Sequence, residues 1–90
     1  MAEEAVWKYS LTPGSSLVEM PRGARALDVQ VQDGWPVMWA LVDPTQPYDK
    51  YRVDVIPTGV WYDLPNIMTY VGTFQLNGDV GHVFFAGGKA

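Results

Sequence analysis

Apolar and polar residues alternate with a period of two along most of the chain, and glycine or proline breaks the pattern at short intervals. Ala5 to Leu11 puts Trp7, Tyr9 and Leu11 on one side and Val6, Lys8 and Ser10 on the other, the mark of a strand with one buried face. Thr12-Pro13-Gly14-Ser15 reads as a turn and Ser16 to Met20 as a short strand returning against the first, ended by Pro21. Leu27, Val29 and Val31 then alternate with Asp28, Gln30 and Gln32, and Asp33-Gly34 closes a second hairpin. From Val37 to Val42 both faces are apolar, which predicts a strand at the sheet centre covered on both sides.

After the loop Asp43 to Asp49, from which Tyr48 is expected to project, Tyr51, Val53 and Val55 alternate with Arg52 and Asp54 in a fifth strand stopped by Pro57 and Gly59. Gly59 to Ile67 has no period and reads as a second long loop. Met68 to Leu76 resumes the alternation, with Tyr70, Phe74 and Leu76 on one face; Gly72 marks a bulge or a close backbone approach. Asn77-Gly78 is a strong hairpin signal, Val80 to Ala86 forms the last strand, and Gly87 to Ala90 is expected to fray. No stretch carries the spacing of an amphipathic helix. About seven short strands predict an all-β fold, a single small antiparallel β-sandwich or a partly closed barrel, with residues 1–90 as one domain.

Composition narrows the function classes. The formal charge is −4, from ten acidic and six basic residues, and the spaced Arg22 and Arg25 are the densest basic feature. Nucleic-acid binding is not expected, because its affinity comes largely from a basic surface that displaces counterions. The chain has no cysteine, which removes disulfides and thiolate metal sites. Its first residues resemble no signal peptide and no apolar run is long enough to span a membrane, so a soluble, cytoplasmic protein is expected. Four Trp, five Tyr and three Phe are many for ninety residues; either they fill the small β core or part of the apolar surface meets another chain or a second copy.

Candidate chemistry is sparse. His82 is the sole histidine and reads as a partly buried strand residue. The aspartates fall on different strands and loops without an acid–base spacing, and Asp33-Gly34 and Asn77-Gly78-Asp79 lack the rest of a calcium loop. No catalytic residue, metal ligand or cofactor is therefore expected. Trp35, Tyr48, Trp61 and Tyr62 fall in predicted turns and loops, with Arg52 nearby; they either fold back over the open ends of the sandwich as core or are the candidate partner-binding residues.

The segments V-W-K-Y (Val6 to Tyr9), V-E-M-P-R-G-A (Val18 to Ala24), V-Q-V-Q-D-G-W-P-V-M-W-A-L-V-D-P (Val29 to Pro44), Y-V-G-T-F-Q-L (Tyr70 to Leu76) and G-H-V-F (Gly81 to Phe84) resemble a family of small phage- and prophage-encoded β domains of unknown function. The resemblance spans nearly the whole chain and is loosest from Gly59 to Met68, where family members more often carry a shorter connection. It implies a phage accessory protein in the host cytoplasm and transfers no catalytic or ligand residue. The expected function is a non-enzymatic protein–protein interaction module that binds a host or phage protein, for example as an inhibitor of a host or defence protein. The alternatives are a symmetric oligomer that holds a small nucleotide-like ligand between subunits, and a minor virion or assembly component.

Overall fold

The computed structural model describes residues 3–90, and these contain eight strands and no helix. They are β1 (Ala5–Ser10), β2 (Gly14–Pro21), β3 (Arg25–Gln32), β4 (Trp35–Val42), β5 (Tyr48–Pro57), β6 (Thr69–Leu76), β7 (Asp79–Phe85) and β8 (Gly88–Lys89). Sheet A has the order β1-β4-β3-β8 and sheet B the order β2-β5-β7-β6. The two sheets face each other as an all-β sandwich rather than a closed barrel.

The two short hairpin signals form as the sequence predicts. Asp33 and Gly34 join β3 to β4 with φ of 53° and 78°, and Asn77 and Gly78 join β6 to β7 with φ of 52° and 84°. Two successive positive φ values give the turn whose twist matches that of the flanking strands.

The first expected hairpin does not form. β1 pairs with β4 and β2 with β5, so these first two strands lie in opposite sheets. Pro13 explains this, because its ring holds φ near −65° and the tight hairpin turns require a positive φ at that corner. Thr12 to Gly14 instead carries the chain across from one sheet to the other.

The core between the sheets is formed by inward residues of both, chiefly Met20, Met38, Val42, Val53, Val83 and Phe85, all essentially inaccessible. Two bulges tune which residues reach it. In β3 the register shifts between Ala26 and Asp28, so Ala26 and Val29 are both buried while Leu27 is only half-buried. In β6 the shift falls between Tyr70 and Gly72 and turns Val71 inward, sending Tyr70 out with Thr73 instead of in with Phe74 as the simple alternation predicts. Gly72 meets both expectations placed on it, since a Cβ there would lie 3.3 Å from the Cβ of Val29 in the facing sheet.

β4 is central in sheet A, as expected, but a second layer covers only its inner face. Met38, Ala40 and Val42 are buried inward; on the outward side Val37 is buried while Trp39 and Leu41 are half-buried. Long polar side chains shield them. Lys8 Nζ sits 5.9 Å from the Trp39 ring centroid and donates to Gln32 Oε1 at 2.6 Å, while Arg25 reaches Glu4 at 2.9 Å across the strand. The tail is also held. β8 pairs in parallel with β3, and Ala90 N–H donates to the Ala26 carbonyl at 2.8 Å.

Candidate functional site

Sheet B carries the feature that sets this sandwich apart, a loop laid against its outer face. Pro57 ends β5 and Gly59, with φ of 84°, turns the chain out of the strand. Residues 58–68 then cross the outer face before β6 begins, closing on a turn in which Met68 N–H donates to the Pro65 carbonyl at 3.1 Å. The loop and the sheet enclose an open cleft of about 430 Å³. Ile56, His82, Phe84 and Tyr70 form its floor, and Val60, Trp61, Tyr62 and Leu64 its wall.

Polar contacts fix both floor and wall. His82 Nε2 lies 2.7 Å from Thr58 Oγ1, His82 Nδ1 lies 3.0 Å from Thr73 Oγ1, and Thr73 Oγ1 lies 2.6 Å from Tyr70 Oη. This chain ties the start of the loop to β7 and β6. Hydroxyls stand on both sides of the ring, and because a hydroxyl both donates and accepts, either neutral tautomer is satisfied. At the middle of β5 the Asp54 carboxylate is wholly buried and accepts two bonds from Arg52, Nε to Oδ1 and Nη2 to Oδ2, each 2.9 Å. Burial alone would push that carboxyl up. Arg52, with contributions from Ser15 and Tyr62, outweighs it and holds Asp54 below the ordinary carboxylate range.

A second cleft of about 870 Å³ opens at the end of the sandwich between the sheets. Leu11, Trp35, Val55, Phe74, Leu76 and Val80 line it, and Val60 and Tyr62 border both clefts. The loop is thus a partition, with one recess on either side. Gly81 gives the second recess its shape, since a Cβ there would lie 2.5 Å from Phe74 Cζ. Only glycine lets that ring lie flat on β7.

A family model for a domain of unknown function, DUF7352, matches residues 2–89. The chain belongs to this family. No curated protein and no solved structure matches it. Family membership therefore brings no assigned activity, and the site rests on the geometry of this DUF7352 domain.

The structure brings four of the five candidate residues to one region. Trp61 is completely exposed and Tyr62 is 36 % exposed on the loop, Arg52 lies on β5 beneath Tyr62, and Trp35 is half-exposed across the second cleft from Tyr62. Tyr48 is exposed but separate. It begins β5, and nine residue steps of extended chain put it about 30 Å from Pro57. The sequence candidates do not include Val60 and Tyr70, both exposed at the cleft, and the sequence weighs Asp54 only as one of the unspaced aspartates, not as the buried charge beneath the loop. A signal for Asp54 was present: an arginine and an aspartate two residues apart, on one face of a strand whose other face is valine. Among the described residues no group of three histidine, aspartate or glutamate side chains is arranged to hold a metal ion, and no helix is long and apolar enough to cross a membrane.

Proposed function

We propose that this domain is a non-catalytic protein-interaction module whose loop 58–68 meets the partner. The observation that carries the reading is Trp61, held on an anchored loop with its whole side chain in solvent. Burying such a ring against a partner removes about 200 Å² from water, worth about 5 kcal/mol before the costs of association. Val60 and Tyr70, each roughly half-exposed, extend the apolar surface around it. In the phage setting that the sequence resemblance implies, the partner is a host or phage protein in the host cytoplasm, and occluding a host or defence protein is one form the activity takes.

A photo-crosslinking amino acid in place of Val60, beside an intact Trp61, tests this, with the same group in place of the exposed Leu17 as control. A discrete product from position 60 and none from position 17 supports the assignment. Equal products from both positions, or none from either, contradict it.

The size of the second cleft favours one other reading, a small apolar ligand seated between the sheets, since about 870 Å³ falls within the range of ligand pockets. A nucleotide-like ligand is poorly served there. Asp79 is the charged residue among the described residues lining that cleft, and Arg22, Arg25 and Arg52 are each already bound to a carboxylate.

A further inference from the structure

We propose that two copies of this chain join edge to edge through β1, continuing sheet A across a two-fold axis at Val6. β1 is the outer strand of its sheet. Its bonding to β4 determines which backbone groups are free. Leu11 N–H donates to the Pro36 carbonyl at 3.0 Å, so in this antiparallel register the odd-numbered residues turn their N–H and C=O groups toward β4. Val6, Lys8 and Ser10 therefore turn theirs outward, in an unpaired row.

One charge, Lys8, stands in that row. Ala5 to Ser10 otherwise contains no glycine, no proline and no register shift, so the edge is lightly protected and open wherever Lys8 meets an opposite charge. The other edges are more fully protected. In β2, Arg22 N–H donates to the Pro47 carbonyl, which by the same argument leaves Ser15, Leu17, Glu19 and Pro21 on the free side, a row with a charge and a residue that cannot donate. β6 is bulged and rests on β3 where Gly72 meets Val29, and β8 covers the start of the free side of β3.

The occupant follows from charge. Antiparallel pairing of β1 with its copy keeps the inner and outer faces continuous if it centres on Val6, Trp7 or Lys8. Centring on Lys8 sets two ammonium groups directly opposite each other, and centring on Trp7 sets Val6 against Lys8. Centring on Val6 opposes Glu4 to Lys8 twice, once on each side of the axis, and covers Val6 with its own copy. Val6 is 57 % exposed in the single chain. Glu4 remains 39 % exposed beside Arg25, so its carboxylate is open to a second cation.

Light scattering on a dilution series from about 1 mM, with backbone amide hydrogen exchange on the same samples, tests the pairing. The wild-type chain is expected to dimerise, with exchange at Val6 and Lys8 slowing as concentration rises. Val6→Pro removes the N–H at the axis without removing a bond within the chain, and Lys8→Glu opposes like charges; each should weaken dimerisation by about tenfold or more. The swap Glu4→Lys with Lys8→Glu, made together with Arg25→Glu so that residue 4 keeps an oppositely charged neighbour in its own chain, should restore affinity to within about threefold of wild type. If Val6→Pro fails to fold, the exchange of wild-type Val6 and Lys8 carries the test alone. A single-chain mass throughout, a dimer that leaves those two amides unprotected, or one that the charge swap does not restore overturns the proposal.

Discussion

Arg52 and Asp54, two residues apart on one face of β5, close a two-pronged ion pair with both bonds at 2.9 Å, the carboxylate fully buried and the guanidinium about one-third exposed. A buried carboxylate on the outer face of a sheet is costly unless it is paired. Tyr62, on the loop, contributes to holding Asp54 ionised, after Arg52 and Ser15. The pair therefore couples the strand to the loop that presents Trp61. Replacing Arg52 alone leaves the carboxylate without its cation, so Arg52→Met is expected to lower Tm by on the order of 10 °C. The double variant Arg52→Met with Asp54→Leu should recover most of that loss in thermal unfolding monitored by circular dichroism.

The same pair gives acid sensitivity a definite sign. Asp54 titrates below its ordinary value of 3.8 in the fold, and Asp43 does so as well because the Thr45 hydroxyl and N–H donate to it. A group depressed in the folded state contributes stability that is complete above its unfolded pKa and is lost as pH falls through the folded one. Urea midpoints should thus be flat near neutrality and fall as pH drops below about 4. Asp54→Asn should have a lower midpoint at pH 7 and a shallower fall on acidification than the wild type.

Two glycines are tight for packing reasons, and substitution should rank them. A Cβ on Gly87 would meet the ring of Phe85, with Cζ at 2.6 Å, and the Ala24 carbonyl at 2.9 Å. Phe85 is fully buried and cannot swing away. Gly87→Ala is expected to cost about 2–3 kcal/mol in denaturant unfolding. Gly81→Ala presses on Phe74, which is half-buried at the second cleft and has room to move, so its cost should be smaller.

Much of the architecture was legible in the sequence because period-two alternation and Asn-Gly or Asp-Gly turns are local signals. They placed the hairpins at Asp33-Gly34 and Asn77-Gly78, the inward Val53 and Val55, and the bulge at Gly72. Partnership between strands was less legible. Pro13 excludes a tight hairpin, yet Thr12-Pro13-Gly14 has the composition of any turn, so β1 and β2 were paired with each other instead of with β4 and β5. The bulge at Leu27 left no glycine to announce it, and β8 is two residues, too short to show any alternation. At the site, the loop from Gly59 to Ile67 was legible from its lack of period, but whether Trp61 stands in solvent or folds back onto the core was not. The Thr58, His82, Thr73 and Tyr70 chain was not legible either, because it joins the start of a loop to two strands that meet only in the folded sheet.

The loop that carries the proposed function makes the final test simple. Thermal unfolding and partner crosslinking should be measured on Trp61→Ala, with the crosslinking group placed at the neighbouring Val60. The side chain removed is fully exposed, so stability should stay within about 0.5 kcal/mol of wild type while the crosslinked product disappears. A protein that unfolds well below the wild-type Tm, or that crosslinks as efficiently as wild type, would contradict Trp61 as the anchor of this domain.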